Sequence, residues 1–501
     1  MKKIIFVLGI ITLVFSVVLG IQTGGNLTYA IATEPVGFDP NLTTALASFK
    51  ILSYVYDGLL RYNRNMEIVP DLAENYTVPN PYTIIFTLKK DVKFHDGSLL
   101  TVNDVLFTFK RIMDPSFGSP AISYFSGVVD KIEALNDDQI EFKLKVPMAS
   151  ALLPVFTFVN CSIVSEKFVK SGANLQLETD GTGPFYIKQY VPGNYILLEK
   201  NPNYFITGEP YLDSIKFTIM PEEILRVSAL RSNRIDIADI DNPSDLVILP
   251  KNQFEIYETP SLNYYLVGLN TARKPFDNKL VREALSYAIN REEIIKMVAA
   301  GEGIITGPLS PSLKNWALPL DDFPEYNYNP IKAKELLKEA GYPNGFSFEL
   351  LTSPKYGFDK IAQVIKDQLA KVGINANINL VEWGIFIKDW REKNFDAFIS
   401  LNGGSTDPDI QLYRTFYSNG ITNVFNFSNA QVDQLLNAGR SATNTIERQN
   451  IYDNLQKILV SESPVIFLYS PINIVASLKN VEGFEILPNG DMTLTTTWIK
   501  Q

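Results

Sequence analysis

IAQVIKDQLAKVGINANINLVEW (361–383) decides the fold class. Ile361, Val364, Ile365, Leu369 and Val372 recur at helical spacing, so one face turns inward, and Gly373 stops the helix. The next stretch, NANINLVEW (375–383), reads as a strand ending at Trp383. Helix, short turn, strand is the repeating unit of an α/β lobe. The same grammar recurs nearby. DNKLVREALSYAINREEIIKMV (277–298) places Val281, Leu285, Ala288 and Ile289 on one helical stripe, capped by Asp277 or Asn278. KAKELLKEAGY (332–342) stops at Gly341, and the helix RQNIYDNLQKILV (448–460) leads into the strand PVIFLYS (464–470).

The first half is strand-rich. In QIEFKLKV (139–146), Ile140, Phe142, Leu144 and Val146 alternate with Glu141, Lys143 and Lys145, the pattern of a half-buried strand. YTIIFTL (82–88) alternates in the same way. No repeat, low-complexity run or obvious linker divides the chain, which implies discontinuous domains. The 501 residues suffice for two or three cores.

Residues 1–20 read as a secretory signal peptide: Lys2 and Lys3, then the apolar run IIFVLGIITLVFSVVLG, with Val18 and Gly20 small enough for a cleavage site. The alternative is an uncleaved membrane helix. Cleavage takes the net charge from -10 to -12, and no cysteine follows the run to accept a lipid anchor. The acidic balance argues against a nucleic-acid partner. Cys161 stands alone, so no internal disulfide forms; it reads as a small buried hydrophobe.

Catalytic signals are missing. His95 is the one histidine and precedes Asp96-Gly97, so it reads as a turn residue. There is no HExxH, GxSxG, CxxC, P-loop or GxGxxG pattern, and neither a metal nor a cofactor is expected. A hydrolase built on two carboxylates is the remaining enzymatic alternative. An exported chain with 24 Tyr, 31 Phe and 4 Trp and no catalytic motif fits a binder of an extended or flat solute.

Several segments in order resemble the family 5 extracellular solute-binding proteins, the peptide-binding components of ABC importers: AENYTV and YTIIFTLKKDVKFHDGSLLTVNDVLFTFKRIMDP (73–115), GTGPFYIKQYVPGNYILLEKNPNYF (181–205), RSNRIDIADI (231–240), YYLVGLNTARKPFDNKLVREALSYAINREEII (264–295), and VEWGIF through VFNFSNAQVDQLL (381–436). The resemblance covers essentially the whole mature chain. It implies an α/β, two-lobed periplasmic binding protein fold of type II. Lobe one would comprise 22–58, 182–265 and 478–501, an extra β-rich subdomain 59–181, and lobe two 266–477. A monomer would close on its ligand by a hinge and deliver it to an ABC permease in the inner membrane, working in the periplasm.

The loop SLNGGSTDPD (400–409) sets the ligand question. By resemblance, peptide binders carry here an Asp for the ligand ammonium and, in some members, an Arg for its carboxylate. Gly404 and Phe398 occupy those positions in this chain. One reading is a peptide held by backbone hydrogen bonds, with Asp407 or Asp241 taking the amine. The other is an oligosaccharide, stacked on Trp383 and hydrogen-bonded by Gly403, Gly404, Ser405 and Thr406. The loop could also be a plain solvated turn. By family position, Trp383 lines the cleft from lobe two, and Tyr124, Tyr264 and Asp241 face it from the subdomain, the hinge and lobe one.

Overall fold

A computed structural model describes residues 20–500; the signal-peptide reading falls on residues that, Gly20 apart, lie outside this range. Among the described residues no helix is long and apolar enough to cross a membrane.

Three sheets carry three bodies. The first lobe holds an eight-stranded sheet in the order Phe254–Pro260, Tyr469–Leu478, Ile237–Ile240, Asn26–Ile31, Ser214–Ile219, Tyr195–Lys200, Phe185–Val191, with Gly303–Ile305 added to Tyr469–Leu478. Strand alternation builds a core on each face: Leu27, Tyr29 and Ile31 enter one, Ala30 and Ala238 the other. The subdomain is a four-stranded antiparallel sheet, Ala73–Asn80, Thr83–Leu88, Gln139–Leu144 and Val129–Ala134. Ile84, Phe86, Ile140 and Phe142 fill its core with Cys161, a buried free thiol. The second lobe is a five-stranded sheet, Asn375–Leu380, Ser347–Thr352, Ala397–Asn402, Tyr264–Leu269 and Val465–Phe467, with helices packed on it.

The helix Phe358–Ala370 buries Ile361, Val364, Ile365 and Leu369, the stripe read from spacing. Two local readings change. The expected helix over 277–298 is two helices, Lys279–Ala288 and Arg291–Val298, because Asn290 turns out of the first and caps the second by accepting from Glu293 N. Trp383 does not end a strand. The strand stops at Leu380, and Glu382 caps a new helix, Trp383–Arg391, by accepting from Gly384 N.

The chain crosses between lobes twice. Pro260 ends a first-lobe strand and Tyr264 begins a second-lobe strand; Phe467 ends in the second lobe and Tyr469 begins in the first. The return crossing at Leu468 thus comes before the boundary at 477/478 expected from resemblance. Just past the crossings, the rings of Tyr265 and Tyr469 stack with centroids 4.7 Å apart.

Candidate functional site

The strand Ala397–Asn402 runs out of the second-lobe sheet into the loop 403–406, and the helix Pro408–Phe416 follows. The loop lies against the first crossing: Gly404 N donates to Asn263 Oδ1 at 3.2 Å, and a Cβ on Gly404 would stand 1.8 Å from the Leu262 carbonyl oxygen. No side chain fits there on this backbone. The position where peptide binders are expected to carry an acid is therefore glycine for a steric reason. Phe398, the other substituted position, is buried and stacks on Phe425 in the second-lobe core, so it faces no ligand.

The two acids of the loop are structural. Asp407 caps the helix by accepting from Asp409 N at 2.8 Å, and both its oxygens accept from Arg448, at 2.6 and 2.7 Å. Both side chains are buried. Asp409, also buried, accepts from Arg440 Nη2 at 2.9 Å and from Tyr452 Oη at 3.4 Å. Burial raises the Asp409 pKa, and Arg440 pulls it back. Asp407 is thus already neutralised and turned inward, and the expectation that it takes a ligand amine is corrected on that ground. Ser405 is likewise buried, its amide donating to Gln411 Oε1 and its hydroxyl accepting from Asp407 N.

Other expected residues divide between wall and core. Tyr264 is buried, with Asn402 Nδ2 donating to its hydroxyl at 3.5 Å, so it packs in the second-lobe core and offers no face to a ligand. Tyr124 is half-buried, edge-on to Phe158. Asp241 is exposed at the end of the strand Ile237–Ile240 and accepts from the wholly buried Arg226. Trp383 is half-buried, stacked on Phe386 at 5.3 Å and edge-on to Tyr356 at 5.7 Å.

Four residues that sequence reading passed over join them. Arg414 donates from Nη2 to Gly403 O, and its buried Nε has no hydrogen-bond partner. It lies within electrostatic reach of both Tyr124 and Tyr264. Tyr62 Oη donates to Thr406 Oγ1 at 2.5 Å, bridging from the strand Leu60–Tyr62 to the second lobe. Tyr356, 58% exposed, adopts a left-handed backbone (φ 55°), which is costly for an aromatic residue, with its ring edge-on to Trp383. Asp491, in the turn after Leu487, is exposed and accepts from Asn489 Nδ2 at 2.6 Å. An Arg inside an amphipathic helix and an Asp in an Asn-Gly-Asp turn carry no local mark of such placement. The arrangement offers neutral donors and acceptors at its floor, an aromatic pair on one side and a cation beside the loop. Among the described residues no group of three or more His, Cys, Asp or Glu could hold a metal ion.

Comparison with known proteins agrees with this architecture. The family described as "Bacterial extracellular solute-binding proteins, family 5 Middle" matches residues 67–423. The oligopeptide-binding protein AppA of Bacillus subtilis (strain 168) is 30% identical over 507 residues, covering 95% of this chain and 92% of its own. HbpA2 from Haemophilus parasuis superposes with a TM-score of 0.87 at 27% identity, over 95% of this chain and all of that one. AppA from Bacillus subtilis in complex with a nonapeptide superposes with a TM-score of 0.74 at 28% identity, over 96% and 100%. This chain belongs to the bacterial extracellular solute-binding proteins of family 5.

Proposed function

We propose that the protein captures a peptide in the cleft between its lobes and delivers it unchanged to an ABC permease in the membrane, working as a monomer outside the cytoplasm. The observation that carries this reading is the Gly403–Thr406 loop facing the Leu262–Asn263 crossing. Backbone groups and neutral side chains at the junction of two lobes suit an extended chain bound as an added strand. Two short crossings make a hinge, and rotation about them would bury the ligand. The AppA nonapeptide complex supports the ligand class. Its lower superposition at nearly the same identity supports a difference in lobe arrangement. Trp383, Gly403, Gly404 and Tyr124, with Arg414 and Tyr356, are the side chains and backbone assigned to the ligand.

Mild acid denaturation of the purified mature protein, followed by mass spectrometry of what is released, tests the reading. A set of peptides is the expected result. A hexose-spaced series would replace it with the oligosaccharide reading, in which Trp383 and Tyr356 stack on sugar rings. A peptide that is cleaved on incubation with the protein would overturn passive delivery.

A further inference from the structure

Gly404 leaves the ammonium of a peptide without its expected counter-charge, and the molecule carries unmatched negative charge elsewhere. A cavity of 290 Å³ lies in the first lobe, walled by residues 53–64, by Asp71 and by the C-terminal turn 487–496. Tyr62 and Thr157 line it, and the Tyr62 hydroxyl meets Thr406 of the second lobe, so the cavity adjoins the cleft beside the 403–406 loop. Four carboxyls line it, Asp57, Asp71, Glu209 and Asp491, against two cations, Arg61 and Arg64, with Lys89 beside Asp71, where it donates to the Asp71 carbonyl. Arg64 is engaged by Glu485 at 2.9 Å and by Thr496. Asp57 accepts from Thr182 Oγ1 at 2.6 Å.

Asp71 is different. It is 5% exposed, and its Oδ1 has no hydrogen-bond partner. Arg61 Nε stands 3.5 Å away, too far for a good hydrogen bond, on a side chain that is half exposed. Buried polar atoms are nearly always satisfied, so the unpartnered Asp71 Oδ1 on the cavity wall marks a place where a donor can arrive. The carboxyls do not converge as metal ligands do. The volume sits at the lower edge of the roughly 300–1,000 Å³ typical of small-molecule pockets, which suits one side chain or terminus, not a whole peptide.

We propose that this cavity receives the cationic nitrogen group of the ligand, an ammonium or a guanidinium, with Asp491 at its mouth and Asp71 at its inner end. The inference deepens the peptide reading and rests on it for the nature of the rest of the ligand. The counter-charge moves from the second lobe, where the Leu262 carbonyl forbids it, to the first.

Titration calorimetry on the whole mature protein, stripped of ligand, tests this. The probes are tri-alanine, N-acetyl-tri-alanine, N-acetyl-Lys-Ala-Ala, and the simple cations agmatine and cadaverine. Cationic probes should bind at least tenfold more tightly than N-acetyl-tri-alanine, and Asp491→Asn should abolish that preference while melting like the parent without ligand. Asp71→Asn should abolish the preference from the inner end, although the pH dependence of its own melting is expected to change. Weakening on acetylation of tri-alanine assigns the group to the terminus; recovery with N-acetyl-Lys-Ala-Ala assigns it to a side chain. Binding of agmatine or cadaverine that depends on Asp491, with no peptide bound, would keep the cavity assignment and sink the peptide reading. Equal binding of neutral and cationic peptides, a cation preference untouched by Asp491→Asn, or no response to any cation (a cavity that holds water alone) would overturn the inference.

Discussion

Two sets of carboxylates flank the region where the lobes meet, and their surroundings are opposite. Asp407 and Asp409 lie in the second lobe, each closed off by an arginine from a later helix, Arg448 and Arg440. Asp57, Asp71 and Asp491 lie in the first lobe around a cavity, where the buried Asp71 Oδ1 lacks a hydrogen bond. The first set holds a helix start in place. The second is held in place by its neighbours and left with capacity to spare. The lesson is that the partner, not the residue type, decides whether an acid is scaffold or site.

The largest expected break falls on the scaffold pair. Arg448→Met leaves Asp407 buried and uncompensated and should cost about 3–5 kcal/mol in urea unfolding. Adding Asp407→Leu should recover much of it, since an apolar pair needs no solvation. An Arg448→Met protein as stable as the parent would erase the contrast between the two sets.

The cavity set should show itself in pH dependence. Desolvation pushes the Asp71 pKa up to about 6, against 3.8 for the free group. The folded state then holds a proton that the unfolded state releases. The contribution of Asp71 to stability is greatest below about pH 4 and falls as pH rises through about 6, by on the order of 2–3 kcal/mol. Asp71→Asn should flatten that slope in melts between pH 4 and 7. His95 runs the other way. Burial lowers its pKa to about 4, and its ring accepts from Gly181 N and faces Gly183 O, so it costs stability as pH falls from 6.5 through 4. The two slopes separate in the single variants Asp71→Asn and His95→Gln.

Gly404→Ala sharpens the comparison from the loop. The added Cβ meets the Leu262 carbonyl and should cost about 1–3 kcal/mol in thermal or urea melts. A neutral result would mean that the loop moves freely from the crossing, and Gly404→Asp could then supply the missing charge. The smallest effect is expected at Trp383→Ala: about tenfold weaker ligand binding by calorimetry, with the fold intact, since the ring sits at the edge of the core and not within it.

Much of the fold was legible along the chain. The stripes of Phe358–Ala370 and Lys279–Ala288 and the alternation of Gln139–Leu144 are local periodicities, and burial follows them. Boundaries were less legible. Asn290 and Glu382 act as helix caps through single side-chain bonds, and these interrupted a helix and ended a strand where hydrophobic pattern alone ran on. Of the residues in the proposed site, Gly403, Gly404, Trp383 and Tyr124 were nominated from sequence, whereas Arg414, Tyr62, Tyr356 and Asp491 were singled out by the structure.

The sequence by itself determined the α/β class, the family and the absence of the usual acid in the loop, because each is written in neighbouring residues or in ordered motifs. Tertiary structure alone decided which acids are closed off by a bonded arginine and which keep an oxygen without a hydrogen bond. Asp407 meets Arg448 through the packing of two second-lobe helices, and Asp71 shares a wall with Asp491 only because the chain crosses between lobes and returns. A charge in a low-dielectric interior is governed by what stands within a few ångströms of it, and distance along the chain does not report that.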